Sequence, residues 1–449
     1  MDFRGKKVAV LGLARSGEAA AKLLARKGAS VFVSEISSSD EKKEIRRRLA
    51  KLGVKCELGG HTRVILSADI VVVSPGVPLD SPVVCSVADK QIPIISEIEL
   101  AYWFLKGSLV AVTGSNGKST TVALIGGMLE SAGKDVFIGG NIGTAFSQFV
   151  DQTTEDSISV VEVSSFQLDT VREFSPDVAV LLNLTPDHLD RYPSVEDYYL
   201  SKMRIFANQA RSNWAVLNKD DENIMRLMEG RVYSRKLFFS QREPVNEGVF
   251  VDGDQIYIAS AGRIRRFASK KEIGKSGDIQ DYLAAVSVGT ILGLPDDVMV
   301  SFLQEFPGLE HRLEKVVEKD GVLFINDSKG TNVDSVLFAL KSLSSPIILI
   351  AGGRYKGGDF LLLKEEARKK VRYMILIGEA REIISSSLGR FIPWEYADSL
   401  EEAVFRTVSI VNPGDTVLLS PGCASFDMFK NYEERGRRFK QIVQEIVGK

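Results

Sequence analysis

Short apolar runs alternate with helical stretches through the opening of the chain. Val8–Leu13, Ser30–Glu35, Asp69–Gly76 and Ile92–Ser96 read as strands, and Glu18–Lys27 and Asp40–Leu52 as helices. That βα repetition implies a parallel, Rossmann-like sheet. A new strand, Ser108–Thr113, then enters a glycine-rich turn and a helix, Ser119–Ala132, whose Val122, Leu124, Ile125, Met128 and Leu129 recur at helical spacing before a capping Gly133. Strands follow at Ser157–Val163 and Val178–Leu184, and a charged, turn-rich stretch from Leu237 to Gly277 reads as a surface hairpin insertion. After Pro295 the pattern resets: Val322–Ile325, Ile347–Ala351, Met374–Ile377 and Thr416–Leu419 are separated by helices, the last spanning Glu434–Val447. The expectation is an α/β protein of three domains, 1–97, 98–302 and 303–449, the outer two Rossmann-like.

Charge narrows the partners. Fifty-seven basic against fifty-nine acidic side chains leave a net charge of −2, without the broad positive field of a nucleic-acid binder. With 44% apolar and 26% charged residues, wholesale disorder is excluded. Cys56, Cys85 and Cys423 are too few and too scattered for a disulfide scaffold or thiolate metal cage, which favours a reducing compartment. The N-terminal apolar run Val8–Ala14 reads as a buried strand rather than a signal peptide, and no segment reaches membrane-spanning length. A cytoplasmic protein is expected.

The strongest local signal is Gly114, Ser115, Asn116, Gly117, Lys118, Ser119 and Thr120 between a strand and a helix. Backbone N–H groups at such a turn face phosphate oxygens, the lysine adds a mobile charge, and a hydroxyl can hold Mg²⁺. The two glycines stand closer than in the common nucleotide loop, so the match rests on the strand-loop-helix context. Glu162 ends a buried-looking strand, where a carboxylate needs a partner or a metal. Asn183, Asp187, His188 and Asp190 cluster after the next strand, at the sheet edge where ligands bind. Lys202, about two turns into a helix that opens at Ser194 and Asp197, reads on physics alone as a solvated lysine.

Taken together these strings resemble the Mur ligase family of ATP-dependent amide-forming synthetases, and within it the members that add D-glutamate. The resemblance runs through Gly114–Thr120, Gly139–Gly143, Glu162–Gln167, Asn183–Asp190 and Ser201–Phe206 to Gly308–Glu314, Asn326–Asn332, Gly352–Asp359, Leu419–Ser425 and Asn431–Glu433. It implies a UDP-binding N-terminal domain, a central domain for ATP and a C-terminal domain for the amino acid. The substrates implied are UDP-N-acetylmuramoyl-L-alanine, D-glutamate and ATP, with two Mg²⁺ ions, and a monomer is expected. By resemblance Arg15, Ser16, Glu35, Ser74, Pro75 and Gly76 lie against uridine and diphosphate, and Asn141 reaches toward the muramoyl portion. Ala14 stands where a dinucleotide fingerprint has its second glycine, which disfavours an NAD site.

The same resemblance makes Lys118 the β/γ-phosphate clamp, places Ser119 and Glu162 on one Mg²⁺, and gives His188 a second metal that Lys202 helps to hold once carbamylated. His311, Arg312, Asp327 and Lys329 join the ATP side, and Thr331, Lys356, Ser425 and Tyr432 take D-glutamate. Three departures stand out: Gly277, Asp278 and Asp281 replace a family His-Asn-x-x-Asn string, Arg354 an aspartate and Tyr432 a phenylalanine. Competing readings are another Mur-type amino-acid ligase, a non-catalytic ATP-binding switch, and an oxidoreductase on the N-terminal fold.

Overall fold

The computed structural model describes residues 2–273, 278–344 and 346–447. In its first sheet the strands β1 (Lys7–Leu11), β2 (Ser30–Glu35), β3 (Lys55–Leu58), β4 (Ile70–Val73) and β5 (Ile94–Ser96) lie in the order β3-β2-β1-β4-β5, all parallel. Order reverses at β1, so the loops leaving β1 and β4 diverge there into a crevice. The strands carry near-continuous apolar runs because helices cover both faces.

The second sheet contains β6 (Ser108–Thr113), β7 (Val136–Gly140), β8 (Ile158–Glu162), β9 (Val178–Leu181), β10 (Trp214–Asn218), β11 (Arg235–Ser240), β12 (Gly248–Asp252), β13 (Gln255–Ser260) and β14 (Arg263–Ser269). Its order is β14-β13-β12-β11-β10-β9-β6-β8-β7, which puts β6 and the loop after it between β9 and β8. The hairpins expected within 237–277 are present as β12–β13 and β13–β14, but their placement at the surface is corrected here. β11 is an interior parallel strand and β12–β14 extend the sheet antiparallel. Val249, Val251, Ile256 and Ile258 alternate on one face and pack into the central core with Val110 and Leu124. The charges that suggested surface belong to Arg263, Arg265 and Arg266 on the edge strand, where they blunt its exposed hydrogen-bonding groups. Gly277 lies outside the described residues.

The third sheet consists of β15 (Glu314–Lys319), β16 (Val322–Asn326), β17 (Ile347–Gly352), β18 (Val371–Ile377), β19 (Trp394–Tyr396) and β20 (Thr416–Leu419), ordered β15-β16-β20-β17-β18-β19. β15 alone runs antiparallel, and Phe439, Ile442 and Val443 of the last helix pack beneath Ile348 and Ile350. The chain forms two compact units, one of residues 2–184 and 196–306, the other of 185–195 and 307–447. The first two sheets therefore share a unit.

Two buried carboxylates join those sheets. Glu99 accepts the backbone N–H groups of Arg172, Glu173 and Phe174 at 2.9, 2.8 and 3.0 Å. Glu97 accepts that of Ser147 through Oε1 at 2.5 Å, while among the described residues its Oε2 has no hydrogen-bond partner. Burial pushes the Glu97 carboxyl up from 4.5 to about 7, against the lowering effect of the Ser147 hydrogen bonds and Arg15. The folded chain thus binds this proton more tightly than the unfolded chain. Its stabilising contribution is complete below pH 4.5 and is lost as pH rises toward 7, a change of about 3 kcal/mol. Glu97→Gln keeps the acceptor and removes the ionisation, so the variant's unfolding free energy should decline less over that window by this amount. Denaturant titrations at several pH values measure it, and parallel pH profiles would refute the assignment.

Candidate functional site

Gly117 is the N-cap of the helix Lys118–Ser131 and adopts φ +86°, a left-handed conformation suited to glycine. A Cβ there would also overlap Asp281 Oδ1, so the loop lies directly against the helix Ile279–Ile291. Asn183 braces it from the end of β9, its Oδ1 accepting from Asn116 N at 2.8 Å and its Nδ2 donating to Asn116 O at 3.2 Å. Two ammonium groups meet the loop. Lys118 Nζ donates to Gly114 O at 2.9 Å and Ser115 O at 2.8 Å, and Lys202 Nζ donates to Gly114 O at 2.8 Å.

Lys202 is 2% exposed and its Nζ stands 4.6 Å from the centre of the Tyr198 ring, so the solvated-lysine reading is corrected. Helical position alone could not tell the two apart, because only the packing of this helix on the loop turns Lys202 inward. Ser119 Oγ donates to Glu162 Oε2 at 2.5 Å, and Asn141 Nδ2 donates to Glu162 Oε1 at 3.0 Å. Glu162 is buried. A hydroxyl and a carboxylate side by side at the start of a phosphate-loop helix are hard oxygen donors of the kind Mg²⁺ prefers, so this pair fits that ion.

At the first sheet's crevice a pocket of about 920 Å³ is lined by Arg15, Ser16, Glu35, Ser74, Pro75, Gly76 and Asn141, all seven residues expected there. Arg15 Nη2 donates to Asn141 O at 2.9 Å, tying the two domains at its rim. The Glu35 carboxylate accepts from Leu13 N at 2.6 Å and Ser37 N at 2.8 Å, which holds the glycine-rich turn closed over the sheet edge.

The second unit gathers the remaining residues. Backbone hydrogen bonds from Gly422 to Gly330 at 2.8 Å, Gly352 to Pro421 at 2.9 Å and Arg354 to Ala424 at 2.8 Å knit the loops after β16, β17 and β20 together. Thr331, Lys356 and Ser425 belong to those three loops, and Tyr432 opens the last helix, Tyr432–Val447. Lys329 Nζ lies 5.5 Å from the Tyr432 ring centre and the Arg312 guanidinium 5.8 Å from that of Phe338. His311 is buried, its Nδ1 2.9 Å from Asn326 Nδ2. Burial pushes Asp327 up to about 6, despite Arg312 and the Ser420 hydroxyl that donates to it at 2.7 Å.

Asp187 and His188 belong to this unit, and His188 holds φ +56°, a strained value for a side-chain-bearing residue. Asp187 accepts from Lys356 Nζ at 3.2 Å and Asn332 Nδ2 at 3.0 Å. Burial opposes its ionisation, but Lys356, His188 and the Asn332 hydrogen bond together outweigh that and hold the carboxyl well below the usual range. Of the three departures, Arg354 points to the surface and pairs with Glu379 at 3.0 Å, away from the loop cluster. Asp278 caps the helix that presents Asp281 to Gly117.

Sequence reasoning named Asn183 and Asp281 without their bracing role and missed Arg435. Asn183 and Asp281 brace the phosphate loop, and Arg435 ties Ser328 to Cys423. Gly436, within the continuous last helix, marks a close approach beside it: a Cβ there would overlap the His311 ring.

These features define a three-domain α/β protein with a mononucleotide-type phosphate loop. Family models match the chain in the same order: "Mur ligase MurD-like, N-terminal domain" over residues 6–96, "Mur ligase middle domain" over 112–274 and "Mur ligase, glutamate ligase domain" over 311–423. The chain is 44% identical to the UDP-N-acetylmuramoylalanine--D-glutamate ligase of Pelotomaculum thermopropionicum, with 98% of each chain covered. It is 42% identical to the enzyme of the same name from Geotalea uraniireducens, with 99% of each covered. Among solved structures, a pseudomurein peptide ligase type C from Methanothermus fervidus shares the fold at TM-score 0.63 and 18% identity, covering 98% of this chain and all of that one. The chain belongs to the Mur ligase family. Among the described residues no helix is long and apolar enough to cross a membrane.

Proposed function

We propose that this chain is an ATP-dependent ligase that joins D-glutamate to UDP-N-acetylmuramoyl-L-alanine in peptidoglycan precursor synthesis. The full-length similarity to D-glutamate ligases carries the reading, and the phosphate loop with its Ser119–Glu162 pair supplies the chemistry.

A carboxylate resists an amine because its charge repels the nucleophile and oxide is a poor leaving group. The alanyl carboxylate oxygen therefore attacks the γ-phosphorus of ATP, and ADP departs. The amine of D-glutamate then attacks the acyl phosphate carbon, giving a tetrahedral intermediate that expels phosphate while the nitrogen loses a proton. Positioned positive charge supplies most of the catalysis for such transfers.

The roles proposed for the residues follow from their chemistry. Loop residues Gly114–Thr120 cradle the phosphates, and Lys118 exchanges the Gly114 and Ser115 carbonyls for β- and γ-phosphate oxygens. Arg312, Asp327 and Lys329 complete the ATP side. Ser119 and Glu162 would hold one Mg²⁺, with Asn141 orienting the carboxylate. His188 would serve a second, together with Lys202 once its amine nitrogen has bonded to CO₂ and shed a proton. Bound there, the metal would neutralise phosphate charge. Residues of the first-sheet pocket hold the UDP end of the substrate. Thr331, Ser425, Tyr432 and Lys356 hold D-glutamate, Lys356 exchanging Asp187 for the side-chain carboxylate of the amino acid.

Phosphate release with UDP-N-acetylmuramoyl-L-alanine and ATP tests the reading: D-glutamate should be the acceptor, and turnover with meso-diaminopimelate or L-alanine instead would overturn it. In the same assay Lys356→Ala should raise the KM for D-glutamate by about 10- to 100-fold, the worth of one charge-assisted hydrogen bond, with the KM for ATP within about twofold. An unchanged D-glutamate KM would remove Lys356 from the acceptor site.

A further inference from the structure

The N-terminal pocket contains a histidine outside the residues already assigned to it. His61 lines the pocket beside Gly60, Thr62 and Arg63, together with the Gly12–Ser16 turn. Its Nδ1 lies 2.7 Å from the hydroxyl of Ser34, a fully buried residue in β2. Ser34 Oγ in turn lies 2.5 Å from Glu57 Oε1, which also accepts from Thr62 N at 2.9 Å.

The order of donors in this chain follows from valence. Burial opposes ionisation of Glu57, but the Ser34 and Thr62 hydrogen bonds outweigh it and keep the carboxyl below its ordinary value. An ionised carboxylate only accepts, so the single Ser34 proton points to Glu57. The Ser34 oxygen is then an acceptor toward His61, so Nδ1 carries a proton, and in the neutral ring Nε2 carries none. Nε2 is left as a lone-pair acceptor. His61 is only partly buried, and Nε2 is the ring nitrogen not turned to Ser34.

Other groups in the pocket are held by neighbours, although the Glu35 carboxylate keeps lone pairs to spare. Each oxygen of Glu35 takes a backbone N–H, and Lys42 Nζ donates to Leu13 O at 2.7 Å. Ile36 is largely exposed beside them, an apolar surface on which a flat ring can lie.

We propose that His61 is a specificity-determining residue for the nucleotide end of the substrate, its Nε2 accepting a hydrogen bond from a donor of the uridine moiety, the imide N3–H or a ribose hydroxyl. The proposal rests on the reading of this pocket as the UDP site. Ser34 and Glu57 act through His61 as positioning residues, fixing which nitrogen carries the proton.

Calorimetric titration of the full-length chain with UDP, N3-methyl-UDP and 2′-deoxy-UDP tests it. The wild type should penalise one of the two analogues. His61→Phe keeps a flat ring without an acceptor and should weaken UDP about tenfold, while abolishing that penalty. Ser34→Ala keeps the imidazole but frees its tautomer, and should lose part of the discrimination. In turnover the His61→Phe chain should show a raised KM for the UDP substrate with kcat within twofold, a split that a merely structural role would not produce. A wild type that penalises neither analogue, or a His61→Phe chain that keeps the penalty, overturns the proposal. Arg15→Ala separates the two failures. If UDP binding is lost in Arg15→Ala but unaffected in His61→Phe, the pocket reading stands and only His61 falls; if the wild type does not bind UDP, both fall.

Discussion

Lys118→Ala is expected to lower ATP-dependent phosphate release by about 10²- to 10³-fold, the usual cost of removing one preorganised charge from a transferring group. The dissociation constant for UDP should stay within about twofold. The reason is architectural: Lys118 opens the helix after β6 in the second sheet, whereas the pocket proposed for UDP is built mainly on the loops of β1, β2 and β4 in the first. Lys118→Arg should recover little, because a planar fork cannot replace a point charge reaching back over the Gly114 and Ser115 carbonyls. Steady-state phosphate release and UDP calorimetry on the same preparations decide the matter. Turnover within threefold of wild type, or a parallel loss of UDP binding, would defeat the assignment.

The largest effect on stability is expected at Arg435. Its guanidinium is 1% exposed and its hydrogen bonds go to a hydroxyl and carbonyls: Nε donates to Ser328 Oγ at 3.0 Å, Nη2 to Ser328 O at 2.8 Å, and both terminal nitrogens to Cys423 O at 3.3 Å. Burial pulls the group down to about 10, with Cys423, Asp427 and Asp327 opposing that. Arg435→Met fills much of the space but removes the donors to two buried carbonyls, while the Ser328 hydroxyl keeps its bond to Tyr432 O at 2.8 Å. Unfolding of the C-terminal unit should become easier by about 3 kcal/mol. Arg435→Lys should fall between the two, since one ammonium cannot span all three acceptors. Urea unfolding measures the change, and a loss under about 1 kcal/mol would show that the acceptors find other partners. The loops it ties carry Lys329 and Ser425, so folded variants should also show a raised KM for D-glutamate.

How far the sequence could be read depended on whether a signal was local. Gly114–Thr120 announced itself because strand, glycine turn and helix are adjacent in the chain, and the helix begins at Lys118 as that pattern requires. Glu162 was legible because a carboxylate ending an apolar strand has few other uses. In the stretch 237–277 the hairpins were legible from the chain but their burial was not, because β11 pairs with β10 and the core they join is built from distant segments. β15 and β19 escaped notice as edge strands, one charged and one short.

The amino-acid sequence by itself determined the three α/β layers, the phosphate loop and the membership of its chemical groups, because hydrophobic period and turn residues act over a few positions. Tertiary structure alone decided which charges are buried and paired. Lys202 turns inward onto Gly114, Lys356 pairs with Asp187, Arg435 braces Ser328 and Cys423, and His61 is locked through Ser34 onto Glu57. Each pairing joins residues from different elements, and the cost of leaving a buried polar group unpaired enforces it only after those elements have packed.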